Sequence, residues 1–290
     1  MHYFGYGSNL CSEDLARWCR ESGLPTFRLA RIAPAFLPDR RLAFSHRSTT
    51  RGGGVLDVPD ARGTAVAGVM FRAPDDDAVR ALDLKESRGH AYRRIEAIAL
   101  TEDGGEHRVF TYEVEPAGRA PFVAPPAGYL DVVRRGYRDH EIPLETLEVT
   151  ARGARDPGPV RSLFVYGTLR KGEERHHVLA RRGVSPGETA TVAGTLLDFG
   201  DYPGLVVDDR KPAVAGEVYS VTDADSLFAE LDPIETFQGF GVPGSLYRRA
   251  IVRAASPKGA VTLAWTYVYD GSREGVRTIE SGDWSRRIRG

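Results

Sequence analysis

Lysine, cysteine, methionine and tryptophan are all scarce here: 4, 2, 2 and 3 residues of each in a chain of 290. Two cysteines, Cys11 and Cys19, cannot frame a disulfide-stapled fold, so a reducing compartment, the cytoplasm, is expected. An excess of charge is also lacking, with 39 Lys and Arg against 40 Asp and Glu. That balance argues against a nucleic-acid binder, which carries a clear basic surplus. No run approaches the roughly 18 apolar residues of a membrane helix, and the start, MHYFGYGSNL, has no basic and apolar leader. The near absence of Lys among the basic residues reads as coding bias rather than chemistry. What is present is 41% hydrophobic and 27% charged, the profile of a globular chain of one or two domains.

An internal repeat chooses two. Tyr3-Phe4-Gly5-Tyr6-Gly7-Ser8-Asn9-Leu10 has a counterpart in Leu163-Phe164-Val165-Tyr166-Gly167-Thr168-Leu169-Arg170. An LDxxE follows in each half, Leu82 to Glu86 and Leu231 to Glu235, and then the same tripeptide, Tyr92-Arg93-Arg94 and Tyr247-Arg248-Arg249. Phe110-Thr111-Tyr112 then parallels Trp265-Thr266-Tyr267. Four features in one order mark two copies of one fold. A stretch rich in Gly, Pro and Arg separates them, so residues 1–152 and 161–290 are expected as domains and 153–160 as an exposed linker.

Within each copy the pattern is mostly strand. Residues 64–71 and 213–219 are β-rich runs, and 95–100 with 107–112 flank a hairpin turn at Asp103-Gly104-Gly105. Helices are expected over 12–20, 75–84, 129–137 and 223–231, with Asp75 and Asp223 as candidate N-caps. The expected class is α+β: two tandem small β-barrels with peripheral helices.

The loop Tyr6-Gly7-Ser8-Asn9-Leu10 follows a short strand and precedes a helix. Such a loop exposes successive N–H groups and suits a carboxylate or oxyanion. One such loop is explained by an ordinary turn; its recurrence as Tyr166-Gly167-Thr168-Leu169 favours binding. Glu86 and Glu235 lie four residues beyond Leu82 and Leu231, on the face that carries an apolar contact. A carboxylate desolvated in that way can accept and return a proton near neutral pH. The Arg residues beside Tyr92 and Tyr247 are either carboxylate ligands or solvated charges. Cys11 reads as a small buried thiol, the adjacent His176 and His177 point apart, and Gly52-Gly53-Gly54 lets a strand pack closely. No HExxH, CxxC or GxxxxGK[ST] occurs, so neither a metal nor a phosphate-binding cofactor is expected.

These residues together resemble the γ-glutamylcyclotransferase family. The first copy is similar to its bacterial branch, through Tyr6 to Leu10, Arg41 to Phe44, Gly52-Gly53 and Pro126 to Tyr137. The second is similar to the γ-glutamylamine cyclotransferase branch, through Val165 to Gly172, Tyr202 to Leu205, Gly216 to Tyr219 and Ser281 to Trp284. The resemblance implies a small barrel that holds a γ-glutamyl group against the Tyr-Gly loop and releases 5-oxoproline and a free amine, with no cofactor. It places the catalytic role on Glu86 and Glu235. Substrate contact falls on Tyr6, Gly7, Ser8, Asn9, Leu10 and Tyr92, and on Tyr166, Gly167, Thr168, Leu169 and Tyr247. Ser87 and Thr236 stand where many members have glycine, and a longer segment joins Glu235 to Tyr247.

The expected partner is a small γ-glutamyl amide, possessing its own nucleophile in the α-amine, rather than a membrane or nucleic acid. Removal of a γ-glutamyl protecting group in bacterial specialised metabolism fits a paired architecture, with one copy or both active. A γ-glutamyl transferase or hydrolase, and a non-catalytic module binding a γ-glutamyl-like ligand, are the alternatives. Nothing in the sequence sets an oligomeric state.

Overall fold

A computed structural model describes residues 1–86, 91–182 and 187–287. The strands, in chain order, are β1 (His2–Gly5), β2 (Ala30–Arg40), β3 (Ala43–Ser48), β4 (Gly53–Asp57), β5 (Asp60–Arg72), β6 (Tyr92–Leu100), β7 (Glu106–Val114), β8 (Ser162–Val165), β9 (Glu188–Asp198), β10 (Pro203–Val207), β11 (Ala213–Ser220), β12 (Tyr247–Ala255), β13 (Val261–Tyr269) and β14 (Arg277–Thr278). The helices are α1 (Ser12–Glu21), α2 (Asp76–Lys85), α3 (Ala127–Asp139), α4 (Glu145–Ala151), α5 (His177–Ala180) and α6 (Ala224–Ile234). Contacts divide the chain into Met1–Ala99 with His107–Pro159, and Leu100–Glu106 with Val160–Gly290.

Each copy closes into a five-stranded barrel, as the repeat predicts. The first runs β1-β5-β2-β6-β7, and the parallel pairing of β7 with β1, Tyr3 opposite Phe110, closes it. The second runs β8-β11-β9-β12-β13, with Leu163 opposite Trp265 in the parallel pairing of β13 with β8. Tyr3 and Leu163 are counterparts in the repeat, as are Phe110 and Trp265, so the two barrels share their register. Closure leaves no free barrel edge.

The same close approach locks both barrels. A methyl group at Gly68 of β5 would lie 2.4 Å from the Gly5 carbonyl oxygen and 2.5 Å from the Phe4 ring; one at Gly216 of β11 would lie 2.4 Å from the Val165 oxygen and 2.5 Å from the Phe164 ring. Only glycine lets that aromatic ring cross the neighbouring strand. Phe4 and Phe164 each belong to the buried core of their own barrel. Gly53 and Gly54 of the glycine run also pack closely: a Cβ on Gly53 would lie 2.7 Å from the Pro126 ring, Gly54 donates to the Ala124 oxygen (2.9 Å), and a Cβ on Gly54 would overlap the Val123 carbonyl.

Asp75 and Asp223 cap α2 and α6, accepting from the N–H groups of Ala78 (2.8 Å) and Ser226 (3.2 Å). These caps place the C-terminal end of each helix, and with it the LDxxE glutamate. Within segment 153–160, Gly153, Ala154, Arg155 and Pro157 are exposed, whereas Asp156, Gly158 and Val160 are buried, and Asp156 accepts from the Gly158 N–H and the Thr146 hydroxyl. Among the described residues no helix is long and apolar enough to cross a membrane.

Candidate active site

Glu86 and Glu235 occupy equivalent places. Each is the C-cap of its helix, and its N–H donates to the carbonyl of the leucine four residues back, Leu82 or Leu231, at 3.0 Å. The i, i+4 relation seen in the sequence is therefore a backbone hydrogen bond, and it turns each carboxylate toward a Tyr-Gly loop. In the first copy the loop continues as a single 3₁₀ turn, Ser8–Leu10, followed by α1. The second loop has only the four-residue α5 behind it, so a helix dipole supports the first loop and not the second.

The surroundings of the two carboxylates differ. Asn9 Nδ2 donates to Glu86 Oε1 (2.8 Å) and to the Tyr3 hydroxyl (3.0 Å). Its own Oδ1 is buried and has no hydrogen-bond partner among the described residues. Glu86 stands between a slot of about 20 Å³, walled by Tyr3, Tyr6, Tyr92, Tyr112 and Tyr129, and a wider polar cavity of about 410 Å³. In the second copy Leu169 replaces Asn9 and Leu163 replaces Tyr3, which removes both polar groups. Glu235 makes no side-chain hydrogen bond or ion pair with the described residues. It borders a cavity of about 240 Å³ lined largely by apolar and aromatic side chains, among them Tyr202, Pro203, Ile234, Leu246 and Tyr247. Burial raises its pKa to about 7, against the opposing charge of Arg175.

The other predicted residues converge on these places. Tyr6, Gly7, Ser8, Asn9 and Tyr92 line the first slot; Tyr166, Gly167, Thr168, Leu169 and Tyr247 line the second cavity. Leu10 lies instead in the core behind its loop. Neither Tyr92 nor Tyr247 presents a free hydroxyl: they donate to the carbonyls of Leu56 and Pro203, both at 2.6 Å. They act as walls that hold β4 and β10 against the site. Tyr247→Phe would orphan a buried carbonyl and is expected to lower stability by about 1–2 kcal/mol in urea unfolding. A change below about 0.3 kcal/mol would contradict this structural role.

Sequence reading missed the polar frame beneath each site. Tyr6 donates to the Tyr112 carbonyl (2.8 Å), and Tyr112 donates to Asp83 (2.8 Å). Tyr166 donates to the Tyr267 carbonyl (2.8 Å), and Tyr267 donates to Asp232 (2.7 Å). Asp83 and Asp232 are the aspartates of the two LDxxE motifs, so their recurrence was the available signal. They also pair with Arg94 (3.0 Å) and Arg249 (3.1 Å). Arg93 binds Glu113 (2.7 Å) and Arg248 lies 3.4 Å from Asp270. All four arginines of the Tyr-Arg-Arg motifs thus serve protein carboxylates, which removes them as substrate ligands.

A further charged group joins three distant segments of the first copy. Asp14 is buried and receives Arg51 (2.6 and 3.1 Å), Arg17 and, at 3.6 Å, Lys85. Burial works to raise the Asp14 pKa, but the Arg51 bonds and the charges of Lys85 and Arg17 hold it below the ordinary carboxylate value. Burial of Lys85 lowers its pKa, opposed by Glu86 and Asp14. Cys11 and Cys19 are buried free thiols. His176 and His177 face different carbonyls, those of Leu169 and Glu174.

The family model described as gamma-glutamyl cyclotransferase, AIG2-like, matches residues 3–129 and again 163–286, one match for each barrel. The chain belongs to that family. It is 35% identical over 126 residues to the gamma-L-glutamyl-butirosin B gamma-glutamyl cyclotransferase of Niallia circulans, covering 43% of this chain and 76% of the relative. It is 36% identical to a putative gamma-glutamylcyclotransferase of Vibrio cholerae, over 43% and 96% of the two chains. A solved structure of a gamma-glutamyl cyclotransferase covers 55% of this chain and 89% of its own, at 24% identity and a TM-score of 0.45. The family implies a small γ-glutamyl compound as substrate.

Proposed function

We propose that the protein cleaves γ-glutamyl amides by attack of the substrate's own α-amine on the γ-carbonyl, releasing 5-oxoproline and a free amine. The observation that carries this reading is the pairing, in both barrels, of a glutamate at a helix C-cap with a Tyr-Gly loop across a cavity. A carboxylate whose pKa lies near 7, as for Glu235, accepts a proton from the α-amine and still surrenders it to a leaving nitrogen. The bond from the α-nitrogen to the γ-carbonyl carbon (Cδ) forms, the bond from that carbon to the amide nitrogen breaks, and the proton moves from one nitrogen to the other by way of Glu86 or Glu235. Holding the five-membered geometry supplies a large effective molarity.

The loops offer donors for the oxyanion. Thr168 and Leu169 line the second cavity, and their N–H groups bond to no acceptor among the described residues. Ser8 and Asn9 open a 3₁₀ turn, so their N–H groups have no acceptor within it. Such preorganised donors stabilise charge that appears only in the transition state. For the substrate class we put forward a γ-glutamylated amine, the protecting group of a specialised metabolite. The 35% identity to a relative named for γ-L-glutamyl-butirosin B supports it.

The test is product analysis on the full chain with a panel of γ-glutamyl amides and dipeptides. 5-Oxoproline and free amine in equal amounts are expected. Free glutamate would indicate a hydrolase, a new γ-glutamyl amide a transferase, and binding without turnover a ligand-binding module; each would overturn the proposal.

A further inference from the structure

Arg175 stands out among the cations around the second cavity because it forms no ion pair with a carboxylate among the described residues. Arg170 is bound to Asp283 (2.6 Å) and lies 3.6 Å from Glu217, and Arg249 is paired with Asp232. The guanidinium of Arg175 makes no hydrogen bond or ion pair with the described residues, yet it lines the same cavity as Glu235. Its backbone is fixed: a turn at Gly172 folds the chain back, and the Arg175 N–H donates to the Thr168 carbonyl at 2.8 Å. The side chain therefore springs from beside the loop whose Thr168 and Leu169 N–H groups are unpaired among the described residues.

We infer that Arg175 is the ligand for the α-carboxylate of the substrate in the second cavity and makes that cavity selective for it. This rests on the function proposed above and deepens it. A carboxylate entering a site walled by Tyr202, Pro203, Ile234 and Leu246 loses its water and needs a counter-charge there. Arg175 is the cation in that lining, and a guanidinium matches a carboxylate in two parallel hydrogen bonds. The α-carbon bears both the amine and the carboxylate, so an amine nitrogen at Glu235 places carboxylate oxygens about 3 Å away. Arg175 and Glu235 line this one cavity. The first cavity is built differently. Its Arg17, Arg51 and Lys85 all converge on Asp14, and Glu21 and Glu86 in the same lining bring the carboxylates to three against these three cations.

The test compares two substrates in the full chain carrying Glu86→Gln, so that turnover reports the second site. One is a γ-glutamyl amide; the other is the matching γ-aminobutyryl amide, which keeps the amine and the γ-carbonyl but lacks the α-carboxylate. Arg175→Met should lower kcat/KM about 10- to 100-fold for the first and leave the second within about threefold. Arg175→Lys should recover most of the loss. Equal losses on both substrates, or no loss on either, overturn the inference. Arg175→Gln is carried alongside and read by the same ratio, in case the Met variant folds poorly.

A binding measurement separates this inference from the proposed reaction. In calorimetry, 5-oxoproline should bind the second site better than 2-pyrrolidinone, the same lactam without a carboxylate, and Arg175→Met should erase that preference. If the chain releases no 5-oxoproline, the reaction proposed above fails while the lactam comparison still decides Arg175. A preference that survives Arg175→Met overturns the inference whatever the turnover.

Discussion

Replacing both glutamates, Glu86→Gln with Glu235→Gln, is expected to lower 5-oxoproline formation about 10²- to 10⁴-fold, the range for loss of a positioned general base. Each single variant should keep the turnover of the other barrel, and unchanged turnover in the double variant would eliminate the mechanism. The pH profile separates the sites. In the Glu86→Gln chain the rate should rise as pH passes about 7, because the base is the ionised form of Glu235. Stability should move in the opposite direction. The folded pKa of Glu235, about 7, lies above its ordinary 4.5, so the favourable neutral form is fully present below pH 4.5 and lost as pH rises through 7. Above that, the fold carries an ionised carboxylate with no donor beside it. Glutamine stays neutral, and Glu235→Gln should therefore unfold about 1–3 kcal/mol later than the parent at pH 8 and at the same point near pH 4. Equal stability of the two chains at both pH values would show that Glu235 ionises without cost.

This asymmetry was half visible in the sequence. The exchange of Asn9 for Leu169 stands inside a motif repeated twice, and the exchange of Tyr3 for Leu163 lies six residues earlier. What the sequence does not show is that both lost groups belong to one hydrogen-bonded chain ending on the glutamate. The two small barrels were legible because the repeat supplied the same strand-like runs twice, and the caps Asp75 and Asp223 announced the helices that end at the site.

Groups assembled from unrelated segments were not legible. Asp14, Arg51 and Lys85 meet only because α1, the β3–β4 turn and the end of α2 converge, and no periodicity links them. Arg175 ends the charged run that begins at Lys171, where a solvated surface is the ordinary expectation. Thr236 is a further case. Its φ of +53° lies in the left-handed region that favours glycine, and the strain is retained beside a hydrogen bond from the Leu246 N–H to its hydroxyl (3.1 Å).

The largest stability effect is expected at Arg249. Its guanidinium is 1% exposed and lies 4.6, 5.0, 4.9 and 5.6 Å from the rings of Phe228, Phe237, Phe240 and Trp265, with Asp232 at 3.1 Å. A cation so enclosed is held by ring faces and one carboxylate together. Arg249→Ala would open a void among four aromatic rings and remove the counter-charge of Asp232, for an expected loss of about 3–5 kcal/mol in urea unfolding. Arg249→Lys keeps the charge but not the flat stacking surface, and should lose less. Arg249→Met combined with Asp232→Asn removes both charges and keeps the volume, so it should recover part of the loss, the signature of a coupled pair. The site should register the change as well. Phe237 and Phe240 belong to the segment between Glu235 and Tyr247, and Asp232 holds Tyr267, which lines the cavity. A variant that is folded yet loosened here should therefore lose turnover at the second site and not at the first. A loss below about 1 kcal/mol for Arg249→Ala would mean that the cage fills itself and that Asp232 finds other donors, and Arg249 would then have no hold on the site.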